Sequence, residues 1–267
     1  MTDGASGGLI ATAALAPLLA DPAVRAEQVS QLVLGETAVL LQRRDEWWRV
    51  RTRADGYEGW VHAGYVRQAE LPDVLGWERE ATGWSEGAEA HAGRSRVRLP
   101  VRARVVLGES GAITLPDGRA ARITTGSVAG LDAVRAAARR EPAHEWALRV
   151  FEGTPYEWGG VSSLGIDCSG LVQTTYAARG VQLPRDSSLQ AGAGVAVDPS
   201  TARPGDLIFF GERGDRVTHV AFMGSEETLI HSTLACGGVV REPWTPGSRA
   251  AVLRARVVGA RRIPEAA

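Results

Sequence analysis

No lysine occurs anywhere in the 267 residues: all 30 basic side chains are arginine. That absence excludes chemistry needing an ε-amine, including a lysine Schiff base, a pyridoxal-phosphate anchor and a Walker-type phosphate loop. Cysteine is almost as scarce. With only Cys168 and Cys236, no disulfide framework can be built and at most one bridge is available. Nor does charge of one sign dominate, because 31 acidic residues against the 30 basic ones leave a formal charge of -1. Such a balance gives no general attraction to phosphate backbones or anionic membranes, so neither nucleic acid nor a membrane is expected as a partner. Long apolar runs are missing too. The stretch at 9–20 is preceded by Asp3 rather than a basic residue and is interrupted by Pro17, unlike a secretory signal. No run approaches the roughly 18–20 apolar residues of a bilayer span. A cytoplasmic protein is expected, with export of a longer precursor as the alternative.

What is present reads as globular. Hydrophobic residues make up 44% and charged residues 23%, the proportions of a folded chain, and at roughly 150 residues per domain the length suggests about two domains. Between residues 30 and 67, β-like runs at 30–34, 38–42, 47–53 and 59–61 are separated by Gly35-Glu36, Arg44-Asp45 and Asp55-Gly56. Short strands at this spacing predict a small SH3-like barrel within 1–68, with Trp47, Trp48, Trp60 and Val61 as its core. Residues 69–96 lose the hydrophobic period and read as a connector packed by Trp77 and Trp84. A β-rich segment turning at Pro116-Asp117-Gly118 predicts a second barrel over 97–138. From Gly130 onward a period of 3.6 replaces the period of two, through Leu131, Val134 and Ala138 and then Ala147, Leu148 and Phe151. Arg135, Arg139 and Arg140 read as a solvated helix face. The last part, 139–267, alternates helix and strand as a larger α+β domain does.

The richest segment runs from Pro155-Tyr156-Glu157-Trp158-Gly159-Gly160 to Asp167-Cys168-Ser169-Gly170. Asp167 suits an N-cap and Gly180 a C′ position, so Cys168 opens a helix. There the macrodipole favours a thiol pKa below the usual ~8.5, and hence a nucleophile. A proton acceptor is needed beside it. His219 lies in the alternating run 217–223 and His231 in the run 228–233. A hairpin with an odd loop centred on Ser225 sets the two imidazoles directly opposite on one face. His219 is then the base and His231 the residue that holds its tautomer, a Cys-His triad with a polar third member. His62, His91 and His144 are set aside as lying outside this domain. The strand 206–210, entered through Pro204-Gly205, is expected beside the hairpin.

Simpler readings stand next to these: Cys236 as an incidental loop thiol, His231 as a core histidine, Asp167 as only a cap, Ser169 as a first-turn hydroxyl, Tyr57 as barrel core, Glu36 as a solvated turn residue. Gly192-Ala193-Gly194 lacks the third glycine of a nucleotide loop. No cofactor or metal is expected.

On the Tyr-x-Trp-Gly-Gly run at 156–160, the Asp-Cys-Ser-Gly at 167–170 and a histidine in a later strand, the segment from about Arg139 resembles the NlpC-type papain-like peptidases of bacterial peptidoglycan, over roughly half the chain. The barrels resemble bacterial SH3-like modules. Their order resembles the subgroup that cleaves γ-D-glutamyl-diamino-acid bonds in murein peptides with a free amino-terminal L-Ala. The fold implied is α+β, a papain-like cysteine peptidase domain preceded by one or two small SH3-like β-barrels, the first of which narrows the cleft in that subgroup. The resemblance implies catalytic roles for Cys168, His219 and His231, with the Cys168 N–H as a candidate oxyanion donor. It puts Tyr156 beside the thiol and makes Asp167, Ser169, Ser187, Glu36 and Tyr57 substrate-binding positions. Glu36 with Asp167 would meet the ammonium of L-Ala. The function implied is hydrolysis of the γ-D-glutamyl bond to diaminopimelate or lysine, releasing L-Ala-D-Glu in murein peptide recycling, without a cofactor. An exported DL-endopeptidase whose barrels hold the wall and a non-enzymatic wall-binding protein are the alternatives. The sequence carries no signal for oligomeric state.

Overall fold

A computed structural model describes residues 7–212 and 216–265; Asp3 lies outside the described residues. The chain divides into two compact units, Met1–Val134 and Arg135–Ala267. No helix among the described residues is long and apolar enough to cross a membrane.

The first unit opens with seven strands: β1 (Gly7–Ala11), β2 (Leu15–Leu19), β3 (Gln28–Val33), β4 (Thr37–Arg44), β5 (Trp47–Thr52), β6 (Glu58–His62) and β7 (Val66–Glu70). They form one sheet in the order β3-β2-β6-β5-β4-β1-β7. Its turns fall where the sequence marks them. Gly35 (φ 82°), Asp45 (φ 53°) and Gly56 (φ 74°) take the left-handed backbone that such tight connections need. The apolar stretch at 9–20 supplies β1 and β2. From it, Leu9, Ala11, Ala16 and Leu18 join Leu32, Ala38, Leu40, Val50, Val61 and Val66 in the core.

That core is aliphatic, which corrects the expected tryptophan core. Trp60 lies opposite Arg49 on the outward face, and only its neighbour Val61 turns in. Trp48 shares the inward face with Val50 but sits near the strand end, at the margin of the core, with the Arg43 guanidinium 5.0 Å over its ring. Trp47 meets His62 edge to face.

The stretch read as a connector contains regular structure. Helix α1 (Leu71–Glu80) buries Val74 and Trp77 against Ile10, Ala69 and Ala81, and the Trp77 indole N–H donates to the Gly35 carbonyl at 2.8 Å. Next come β8 (Gly83–Ala92), β9 (Ser95–Leu99), β10 (Arg104–Leu107), β11 (Ala112–Thr114) and β12 (Ala120–Gly130), in the order β10-β11-β12-β8-β9. Because β10 also pairs with β8, this sheet closes on itself. It starts at Gly83, earlier than the second barrel expected from sequence. The period of two is masked there by register shifts between Ile123 and Thr125 and between Gly126 and Val128, since each bulge flips the side chains that follow.

Helix α2 (Leu131–Ala138) contains the division between the units. In the second unit, α3 (Ala143–Phe151) leads to the short pair β13 (Val161–Ser162) and β14 (Gly165–Ile166), then α4 (Cys168–Ala178) and α5 (Ser187–Gln190). A six-stranded antiparallel sheet follows, made of β15 (Val195–Val197), β16 (Leu207–Gly211), β17 (Val217–Met223), β18 (Thr228–Thr233), β19 (Gly238–Pro243) and β20 (Val257–Arg262), in the order β15-β20-β16-β17-β18-β19. Tyr176 of α4 packs on Phe222 of β17, ring centroids 6.0 Å apart. Alternate residues of the same strands, Ile208, Phe210 and Ala221, pack with Leu229, Trp244, Ala250 and Ala260. The sheet therefore buries both faces, which is why β16 is apolar at every position. Arg139 and Arg140 are exposed, as expected of a solvated face, whereas Arg135 is half-buried; Arg139 also donates from Nε to the Arg179 carbonyl at 3.0 Å.

Candidate active site

Asp167 caps α4 by accepting the Gly170 N–H on Oδ1 at 2.7 Å, so Cys168 is the first helical residue. The preceding loop lies directly on this first turn. A side chain at Gly170 would run into the Gly160 carbonyl, so the Trp-Gly-Gly run and the glycine after Cys-Ser serve one close approach. Cys168 is 8% exposed. Its Sγ accepts from the backbone N–H groups of Val220 and Ser169. The Val220 contact places the sulfur beside His219's own neighbour on β17. The ladder between β17 and β18 runs through Phe222↔Ile230 and Met223↔Leu229, and beyond it the two strands part where the sulfur approaches.

That register differs by two residues from the one expected. Continued, it sets His231 across from Ala221, and the loop centres on Glu226, where Glu226 and Glu227 both have positive φ (54° and 50°). A shift of two preserves the face, so the imidazoles still meet, diagonally instead of directly. Their centroids are 5.0 Å apart, and His219 Nε2 lies 2.8 Å from His231 Nδ1. Beyond it, His231 Nε2 is 3.1 Å from Glu242 Oε2, and Arg249 pairs with the same oxygen. Phe210 backs His219 at 5.7 Å. His144 lies in this unit rather than outside it, buried on α3 with Nε2 3.4 Å from Glu145.

Burial first, and the Asp167 charge second, push the Cys168 thiol up to about 12, against the Val220 N–H and the Arg185 charge. Burial pushes His219 down to about 4 despite Asp167, and pushes His231 down to about 3, with His219 and Arg249 acting in the same direction. The expected helix-terminus thiolate is thereby corrected. A macrodipole contributes ~0.3–2 kcal/mol, whereas a rise from 9 to about 12 corresponds to roughly 4 kcal/mol. Both directions favour a neutral thiol and a neutral imidazole at rest.

The remaining predicted residues are placed as follows. Asp167 accepts Ser169 Oγ, the Gly170 N–H and Arg185 Nη1 on Oδ1, and the Gly159 N–H and Arg185 Nη2 on Oδ2. Those donors fill a carboxylate's roughly four acceptor sites. Ser169 Oγ also accepts from Arg185 Nη1 at 2.7 Å. Asp167 and Ser169 are thus one buried cluster with Arg185, a residue the sequence reading left out. Tyr156 is half-buried, and burial, followed by the charges of Cys168 and Asp167, pushes its phenol up to about 12. Ser187 opens α5, half-buried.

In the first unit, Glu36 is no solvated turn residue. Arg102 Nε pairs with its Oε1 and the Val33 N–H donates to Oε2 at 3.0 Å, with both charged side chains nearly buried. Tyr57 is half-buried and donates its backbone N–H to Thr52 Oγ1 at 2.9 Å. Both cysteines are free thiols, Cys236 exposed. Among the described residues no group of three or more His, Cys, Asp or Glu could hold a metal ion.

A cysteine opening a helix against an antiparallel sheet, with two chained histidines on that sheet, defines the papain-like cysteine peptidase class. Residues 153–257 match the NlpC/P60 family and residues 18–66 match the bacterial dipeptidyl-peptidase SH3 domain. The chain carries an NlpC/P60 domain preceded by that SH3 domain, the α+β arrangement expected from sequence. NlpC/P60 proteins are a cell-wall family of cysteine peptidases, which implies a murein peptide as substrate.

Among relatives, a gamma-D-glutamyl-L-lysine dipeptidyl-peptidase of Bacillus cereus is 29% identical over 244 residues, covering 82% of this chain and 71% of that one. The bifunctional muramidase/DL-endopeptidase CwlT of Bacillus subtilis is 47% identical over 85 residues, 31% of this chain and 26% of its own length. In fold, the chain is similar to the crystal structure of an NlpC/P60 family protein from Bacillus cereus: TM-score 0.78, 22% identity, 96% of this chain and 100% of the other.

Proposed function

We propose that this protein is a cysteine dipeptidyl-peptidase that hydrolyses the γ-D-glutamyl bond to diaminopimelate or lysine in murein peptides with a free amino-terminal L-Ala, releasing L-Ala-D-Glu. The observation that carries this reading is an SH3 domain of the dipeptidyl-peptidase type in the same chain as the Cys168–His219–His231 cluster. The Bacillus cereus relative, whose name states such an activity, aligns over both parts.

In the mechanism, Cys168 Sγ attacks the γ-carbonyl carbon as its proton passes to His219. The first-turn N–H of Cys168 has no intrahelical acceptor, and in this reading it receives the oxyanion. His219 then protonates the departing amine, and water, deprotonated by the same ring, releases the acyl group from sulfur. Glu36 reads the ammonium of L-Ala in this proposal. Asp167, already saturated by Arg185 and its other donors, holds the helix start instead. Free amino-terminal L-Ala arises in peptides already cut from the wall, which suits a cytoplasmic recycling step.

Mass spectrometry of products from a defined L-Ala-γ-D-Glu-diaminopimelate peptide and its amine-blocked form tests the proposal. Release of L-Ala-D-Glu from the free-amine peptide alone supports it. Equal cleavage of both selects the second reading, an exported DL-endopeptidase, which the CwlT match favours. Hydrolysis that survives Cys168→Ala overturns both, and binding without hydrolysis leaves a wall-binding protein.

A further inference from the structure

We infer that Glu242, acting through His231, is a positioning residue that sets which nitrogen of His219 carries the proton, so that a buried carboxylate two side chains from the sulfur arms the base; this inference rests on the peptidase reading above. Glu242 sits on β19, two residues beyond Val240, the direct partner of His231 across the β18–β19 ladder. It therefore shares the face of His231 as a diagonal neighbour. It is 7% exposed, with Oε2 3.1 Å from His231 Nε2 and paired with Arg249.

The protonation states follow one another along the chain of contacts. A carboxylate held by arginine only accepts hydrogen bonds. His231 must then carry its proton on Nε2, which leaves Nδ1 as an acceptor because burial keeps the ring neutral. The neighbour 2.8 Å away, His219 Nε2, must donate to it. The lone pair of His219 is thereby left on Nδ1, the one ring nitrogen not engaged by His231, available to take the thiol proton. When His219 becomes an imidazolium during attack, the Glu242 charge also stabilises it through His231. The charged groups acting on the two rings are Asp167 at the N-cap of α4, Glu242 from β19 and Arg249 from the 3-10 segment Arg249–Arg256.

A purely structural alternative assigns the Glu242–Arg249 pair to fastening that 3-10 segment to the sheet. Nitrogen-15 NMR of histidine side chains in the full chain separates the two without any substrate. The expected wild-type spectrum shows His219 and His231 both protonated on Nε2 at neutral pH. In Glu242→Leu the bias is lost, and kcat on the murein peptide falls roughly 100-fold with KM unchanged. In Glu242→Gln, whose amide oxygen still accepts from His231 and Arg249, the tautomers persist and most of the loss is rescued. A wild-type His219 protonated on Nδ1 overturns the inference, and that result needs no variant to fold. So does a folded Glu242→Leu protein that keeps both tautomers and full kcat. If no murein peptide is cleaved at all, the peptidase proposal fails while the tautomer measurement still reads this inference.

Discussion

Arg185 binds both carboxylate oxygens of Asp167, at 2.6 Å and 3.1 Å, with each side chain at least nine-tenths buried. The pair stands at the entrance of α4, so it joins the loop 159–160 to the helix that carries the thiol. Removing one member leaves the other charge buried, at a cost of about 3–5 kcal/mol. Arg185→Ala is expected to lower the unfolding free energy of the second unit by that amount in urea titrations. Arg185→Lys should recover only part of it, because an ammonium cannot present the planar fork. A loss below about 1 kcal/mol for Arg185→Ala would contradict the assignment. The remaining thiol should also alkylate more slowly, since the Arg185 charge opposes the upward push of Asp167 on Cys168.

At neutral pH the resting enzyme should show no thiolate. With the Cys168 thiol pushed up to about 12 and His219 down to about 4, the proton stays on sulfur until substrate arrives. The ultraviolet thiolate band of a Cys236→Ser protein, recorded against the same protein carrying Cys168→Ala, should be absent at neutral pH and grow only in strong alkali. A band at neutral pH that disappears with Cys168 would show an ion pair already formed.

Much of this site can be read from the sequence because it is local. Asp167, Cys168 and Gly170 announce a capped helix start, and Gly180 its end. The parity of His219 and His231 survives any register shift by two, so their shared face was predictable although their direct pairing was not. The loop Ser225-Glu226-Glu227 places two non-glycine residues at positive φ, which no propensity signals. The partners contributed by distant chain are invisible in the same way. Glu242 and Arg185 enter only through register and tertiary packing, and Glu36 meets Arg102 across 66 positions. The strand over residues 83–92 was hidden by its own irregularity, three steps from Ser85 to Ala88 opposing two of β12 with Gly87 at φ 97°, and the tryptophans of β5 and β6 misled because bulk outweighed the strand period.

Acid should destabilise the second unit through its two histidines. In the unfolded chain both rings take a proton near pH 6.5, whereas folded His219 and His231 stay neutral down to about 4 and about 3. The folded state binds fewer protons in that window, so the stabilisation is complete above pH 6.5 and is lost as pH falls toward those values. The amount is on the order of 3 kcal/mol for His219 and about 5 kcal/mol for His231. Melting temperature should therefore fall steeply below pH 6.5, and His231→Gln should flatten the slope. An identical slope in that variant would place the acid sensitivity elsewhere.

Glu36→Ala is expected to produce two separable losses. The first is structural, because the substitution takes away the carboxylate that Arg102, itself 6% exposed, holds in the first unit. Leaving that guanidinium buried without its carboxylate costs roughly 3 kcal/mol, read as a lower melting temperature. The second belongs to recognition: if Glu36 reads the L-Ala ammonium, kcat/KM for the free-amine peptide should fall about tenfold or more, the worth of a charge-assisted hydrogen bond, with the amine-blocked peptide unaffected. The double variant Glu36→Leu, Arg102→Leu separates them. Replacing both charges with apolar side chains should restore the melting temperature, since neither is left buried alone, while selectivity for the free amine stays lost. A stable double variant that still prefers the free-amine peptide would remove Glu36 from substrate recognition and leave it a purely structural partner of Arg102.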